Sequence, residues 1–301
     1  MDPLSIYSLI PENLEITLFQ ETKKRFKIFL NNYNNIFYNF IAIIYKKHDF
    51  LQISQSIAIV LSFFIVKNID VSYMYHVIRT QSLMKMYVLF NVLELSEKLI
   101  GTLSSDLLSF IKSFDIAIKK NYKKYYISTF FYSISTIIET VILSMQYIVI
   151  LQSIHACSNT LYALLISNLF LELKSSVFKR GDRKMVFEVL HQDLLKRFNL
   201  FLYVTLSFFH IYFEPNNVND FIKPLLILLF KLLADWVKHA FICRHNNIDP
   251  RIYALFDVEF KIPYISAAHN VLFLWMIYSI FQKELFLAVF FIVTYSLSKL
   301  Y

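Results

Sequence analysis

Apolar runs long enough to approach the width of a bilayer limit this chain more than any other feature. A spanning helix takes about 20 mostly apolar residues. Runs at 51–66, 127–150, 198–213, 221–237, 268–281 and 284–298 come near or reach that length, and 156–173 is a further candidate. In lipid, unpaired backbone groups are too costly to leave open, so such runs are helices or strands of a closed barrel. These runs do not alternate between apolar and polar residues, which excludes barrel strands. The chain is 57% hydrophobic, above the roughly 45–50% of soluble domains. It holds two glycines, Gly101 and Gly181, so unbroken helices are expected. The expected fold class is all-α, a polytopic transmembrane helical bundle with amphipathic interfacial helices.

Charge then orients the runs. The net charge of +8 comes from 30 Lys and Arg against 22 Asp and Glu. The basic residues sit between apolar runs, which assigns them to orientation and to anionic lipid headgroups, with no role for nucleic acid. The linker 214–220 has no Lys or Arg, while Lys196, Arg197, Lys238, Arg244 and Arg251 flank the two runs it joins. That pattern reads as a hairpin with a lumenal tip and cytoplasmic bases. A second hairpin would have its tip near 155–159. Residues 1–50 read as an N-terminal cytoplasmic or interfacial segment, and the start is too acidic and too Pro-interrupted for a signal peptide. Residues 51–301 read as one polytopic membrane domain. Within it, about 70–125 shows apolar residues at helical spacing among polar ones, as in helices lying on a membrane surface or packed on a bundle.

No phosphate-binding Gly loop, HExxH or Gly-x-Ser-x-Gly is present, and none of the mechanisms those motifs serve is expected. Two cysteines, Cys157 and Cys243, give no disulfide framework and no paired-Cys zinc motif. Three polar constellations remain. Asp235, His239 and Cys243 recur at i, i+4 and i+8, one helix face carrying three metal-ligating side-chain types. The alternative is a helix leaving the membrane, with Trp236 at the interface and Lys238 reaching out. No resident metal is expected. Glu139 lies near the middle of 127–150, where an ionisable group costs about 2.5 kcal/mol or more. It could pair with Lys231, serve a proton or ion path, or be protonated and hydrogen-bonded between helices. Glu172, Lys174, Lys179 and Arg180 line the exit of the 156–173 run. They fix orientation or bind anionic lipid.

Four blocks carry a family resemblance. "SNLFLELKSSVFKR" (167–180) is similar to the SNxFxEIKxSVFKK signature of the transmembrane anterior posterior transformation protein family. "YHVIRTQSLMKMYVLFNVLELSEKL" (75–99) resembles the family's Tyr-His-x-Ile-Arg-Gly-Gln block, with Thr80 in place of its Gly. "DWVKHAFICRHNNI" (235–248) and "DLLKRF" (193–198) resemble two further blocks, with Lys196 replacing Glu in the last. The residues that match are Tyr75, His76, Arg79, Gln81, Lys85, Asn91 and Glu94, then Ser167, Asn168, Glu172, Lys174, Ser176, Phe178 and Lys179, and then Asp235, Trp236, Lys238 and His239. The resemblance implies a multi-pass endoplasmic reticulum membrane protein without enzymatic activity or cofactor. It also implies a SUN-like membrane partner and a part in protein quality control. On this reading the matched polar residues form a docking surface at the membrane boundary, with Arg79 or Lys85 pairing Glu172 and Asp235 pairing Lys174.

Overall fold

A computed structural model describes residues 14–44, 50–117, 122–155, 174, 183–213, 221–255, 266–276 and 278. The described residues are helical and contain no strand. Long helices follow from long apolar stretches with glycine nearly absent. α1 runs Leu14–Ile44, α2 Phe50–Val66, α3 Val71–Arg79, α4 Leu83–Ala117, α5 Tyr122–His155, α6 Arg183–Phe213 and α7 Ile222–Asn246. A 3-10 turn, Pro250–Leu255, follows, and α8 covers Ala267–Met276. α7 stops at Asn247, whose φ of 52° is left-handed. Asn tolerates that conformation and closes helices there.

The chain forms two compact units, one of residues 1–27 and 153–263, the other of 28–152 and 264–301. In the first, α6 packs along α7 and the start of α1 lies with them. Leu14 and Leu18 join Val186, Phe187, Leu190, Leu194, Ile242 and Tyr253 in one core. Phe26 meets Phe198 edge-on, with ring centroids 5.4 Å apart. In the second unit, Ala58, Leu108, Ile111, Tyr125 and Tyr132 form one core cluster. Ile59 packs with Ala267, Val271 and Leu274 in another.

Among the described residues one helix is long and apolar enough to cross a membrane, Lys123–His155, with Ile53–Val66 and Ala267–Met276 as shorter apolar helices. The expected runs at 198–213 and 221–237 are helical, but the charges of α7 lower its average hydropathy. The runs at 156–173 and 284–298 and the linker 214–220 lie outside the described residues.

The charges of α7 are sorted by face. Lys238 and His239 are buried, and Asp235 is 0% exposed. Ile222, Leu225, Leu229, Leu233 and Val237 are exposed on the other side. Their steps of three and four residues make one stripe. From 222 to 237 it extends about 22 Å at about 1.5 Å per residue.

Candidate functional site

In the first unit the polar residues of α6 and α7 converge on a buried network. Asp193 and Arg197 stand four residues apart on α6, and Lys231, Asp235, Lys238 and His239 share one side of α7. Arg197 donates from Nε to Asp235 Oδ2 at 2.6 Å. Its other two nitrogens grip Glu15 of α1 at 3.0 and 2.8 Å. Trp236 Nε1 donates to the same carboxylate at 2.5 Å. Lys231 Nζ lies 2.9 Å from Asp235 Oδ1. Lys238 donates to Asp193 Oδ1, and His239 Nε2 meets Asp193 Oδ2 at 2.9 Å.

The chain of bonds continues past His239. Its Nδ1 lies 2.9 Å from the Tyr253 hydroxyl, which lies 3.4 Å from Cys243 Sγ. One assignment satisfies every group: Cys243 donates to Tyr253, Tyr253 to Nδ1, and Nε2–H to Asp193. Three carboxylates, Glu15, Asp193 and Asp235, face three cations, Arg197, Lys231 and Lys238. The site is neutral as a set, which is what burial of this much charge requires. Burial alone would raise the Asp193 pKa. The Lys238 charge, the His239 hydrogen bond and the Lys231 charge outweigh it and hold the carboxyl well below its usual range. Burial likewise pushes the Cys243 thiol up.

This geometry relocates several expected roles. Asp235 and His239 do share a face with Cys243, but each side chain is engaged by a protein partner. Among the described residues no group of three His, Cys, Asp or Glu is placed to hold a metal. Asp235 pairs with Arg197 and Lys231, while Lys174 is exposed. Asp235, Lys238 and His239 are core residues and present no docking surface. Lys231, one expected partner for Glu139, is held by Asp235. Ser167, Asn168, Glu172, Ser176, Phe178 and Lys179 lie outside the described residues. The 75–99 block does reach the surface. His76, Arg79, Gln81 and Lys85 are exposed, and Tyr75, Asn91 and Glu94 are half-buried.

In the second unit, Glu139 is 2% exposed. Ser104 Oγ of α4 lies 3.1 Å from its Oε2, and the Ser266 side chain at the start of α8 also hydrogen-bonds it. Ser104 lies 3.2 Å from Ser135 Oγ. Farther along the same helix pair, Gln146 Nε2 donates to Glu97 Oε2 at 3.0 Å. Glu97, Gly101 and Ser104 thus face Ser135, Glu139 and Gln146 along a polar seam. A Cβ at Gly101 would sit 3.7 Å from Glu139 Oε1, an ordinary contact.

The sequence profile of a eukaryotic membrane protein family matches residues 45–297. Endoplasmic reticulum membrane protein 65 of Schizosaccharomyces pombe is 31% identical over 211 residues, which cover 64% of this chain and 32% of that protein. Protein TAPT1 homolog of Caenorhabditis elegans is 29% identical over 221 residues, 70% of this chain and 30% of the relative. Transmembrane anterior posterior transformation protein 1 homolog of Homo sapiens is 25% identical over 224 residues, 71% of this chain and 39% of the relative. The matched region is therefore about a third of the length of these relatives. No solved structure matches.

Proposed function

Because this chain belongs to a family of eukaryotic membrane proteins, we propose that it is a non-enzymatic, multi-pass scaffold of the endoplasmic reticulum membrane. In this role it holds a SUN-like membrane partner and supports the quality control of newly made secretory proteins. The organelle is that of the fungal relatives' printed name. The partner and the process come from the family resemblance of the sequence blocks.

The two faces of α7 support the reading most directly. An intramembrane helix must turn its charges inward and compensate them, and turn apolar residues to lipid. α7 has this division, with Lys231, Asp235 and Lys238 neutralised inside and Leu225, Leu229 and Leu233 outside. We therefore read 222–237 of α7 as a second membrane helix, although its charges keep it from the length and hydropathy that α5 has. A network that cancels its own charge suits a rigid support more than a reactive centre. We take as the partner's contact surface the exposed residues Arg79, Gln81 and Lys85, of which Lys85 lines an apolar groove with Met84, Val88, Leu89 and Val92.

Isolation of the tagged protein from its own membranes in mild detergent, with mass spectrometry, tests this. A stoichiometric membrane glycoprotein, lost when Arg79 and Lys85 are both changed to Glu, is expected. Recovery of the protein alone and monodisperse would overturn the scaffold reading. Transport would then be the second reading, favoured by the buried Glu139. Flux in proteoliposomes that disappears with Glu139→Gln is its signature.

A further inference from the structure

Glu139 is an unusual carboxyl. It is sealed from solvent midway along the most membrane-compatible helix, and its polar contacts are the hydroxyls of Ser104 and Ser266. Among the described residues, the charged group acting on it is another acid, Glu97 of α4. α8 brings the neutral Ser266 to it. The charge network of the first unit balances acids against cations, and Glu139 has no such balance.

Counting hydrogens shows what state the surroundings accept. Ser104 has one hydroxyl hydrogen but lies within bonding distance of two oxygens, Ser135 Oγ at 3.2 Å and Glu139 Oε2 at 3.1 Å. Ser135 in turn lies 2.9 Å from the Tyr132 carbonyl. If Glu139 carries a proton, every contact has one hydrogen: Glu139 donates to Ser104, Ser104 to Ser135, and Ser135 to Tyr132. If Glu139 is ionised, the chain reverses, with Ser135 donating to Ser104 and Ser104 to the carboxylate. The Tyr132 carbonyl then keeps the Thr136 hydroxyl, 2.8 Å away. Both states are filled, and they differ by two hydroxyl rotations.

We propose that Glu139, Ser104 and Ser135 form a proton-binding site inside the α4–α5 hairpin, with the two serine hydroxyls reversing direction as the proton comes and goes. The O–H bond that forms and breaks is that of Glu139, and the proton is exchanged with solvent. The serine hydrogens rotate and stay on their own oxygens. The inference stands apart from the scaffold reading, since a proton site fits either a support or a transporter.

The test uses the full chain in lipid nanodiscs, with infrared spectra recorded across the pH range in which the protein stays folded. The wild type is expected to show a protonated-carboxyl C=O band that titrates and that is absent in Glu139→Gln. Ser135→Ala removes the acceptor that the protonated chain needs, leaving Ser104 free to donate to the carboxylate. It should therefore lower the proton affinity by about tenfold, the size of one hydrogen bond. A band that survives Glu139→Gln, or one that is absent or never titrates in the wild type, overturns the site. An unchanged titration midpoint in Ser135→Ala overturns the reversing chain, and this measurement stands even where Glu139→Gln does not fold.

Discussion

Arg197 of α6 holds Asp235 of α7 through Nε at 2.6 Å, and the carboxylate it holds is completely buried. Removing one partner of such a pair strands the other charge in the core. Arg197→Ala or Asp235→Ala is expected to cost about 3–5 kcal/mol. Glu15→Ala should cost less, about 1 kcal/mol, because Glu15 is partly exposed and Arg197 keeps Asp235. Arg197→Lys should not restore the wild type, since lysine lacks the planar fork that bonds Glu15 through two nitrogens while Nε holds Asp235. Thermal unfolding in detergent, with the four variants ranked, checks this. Equal losses for Glu15→Ala and Asp235→Ala would contradict it.

Asp193 sets a pH dependence. Its folded pKa lies below the unfolded one, so its contribution is present above about pH 4, the usual aspartate value. That contribution is lost as the pH falls through the depressed folded value. Asp193→Asn should therefore be less stable than the wild type at neutral pH, and the gap should narrow only in strong acid. Denaturation midpoints at a series of pH values measure the gap. A gap that closes already between pH 7 and 5 would show that Asp193 is not the group responsible.

Tyr253 links His239 to Cys243 through one hydroxyl. Tyr253→Phe keeps the ring and leaves the imidazole Nδ1 without its donor, at a cost of about 1–3 kcal/mol. Cys243 is buried with a raised pKa, so its alkylation should be slow in the native protein and faster in Tyr253→Phe. Mass spectrometry of the Cys243 peptide over time gives both rates. Identical rates would mean that the hydroxyl does not secure this corner.

The outer stripe of α7 makes a separate test. If Leu225, Leu229 and Leu233 face lipid, spin labels there should be open to oxygen and closed to a water-soluble nickel complex. Leu229→Lys should destabilise by about 2.5–3.5 kcal/mol, the insertion cost of a charge near mid-bilayer. Nickel access equal to that at exposed Lys85 would place the stripe in water.

The helices themselves were legible, because apolar run length and scarce glycine speak directly to backbone satisfaction. Asp235, His239 and Cys243 were legible as one helix face from their spacing, and Asp193 and Arg197 lay inside a resembling block. Their meaning was not legible, and Lys238, expected to reach out, is buried. Spacing groups residues on one helix, whereas Glu15 reaches Arg197 across 182 positions and Trp236 across 221. Tyr253, which completes the imidazole's bonds, sits in a short 3-10 turn with no pattern to mark it. α7 shows the opposite problem. Mean hydropathy sums over both faces and so hides a helix that separates them, and the four-residue step from Leu225 to Leu229 to Leu233 was the available sign. Glu139 stood out from its sequence context, and Ser135 lies one turn before it on α5, but Ser104 and Ser266 come from α4 and from the start of α8.

Glu15 also fixes an order of events during synthesis. It is translated 221 residues before Trp236, which at about 5–20 residues per second is a wait of about 10–45 s. For most of that time neither α6 nor α7, against which the start of α1 packs, has been made. The site closes only when α7 arrives, so a protein proposed here to support other nascent chains itself passes through a long unfinished state.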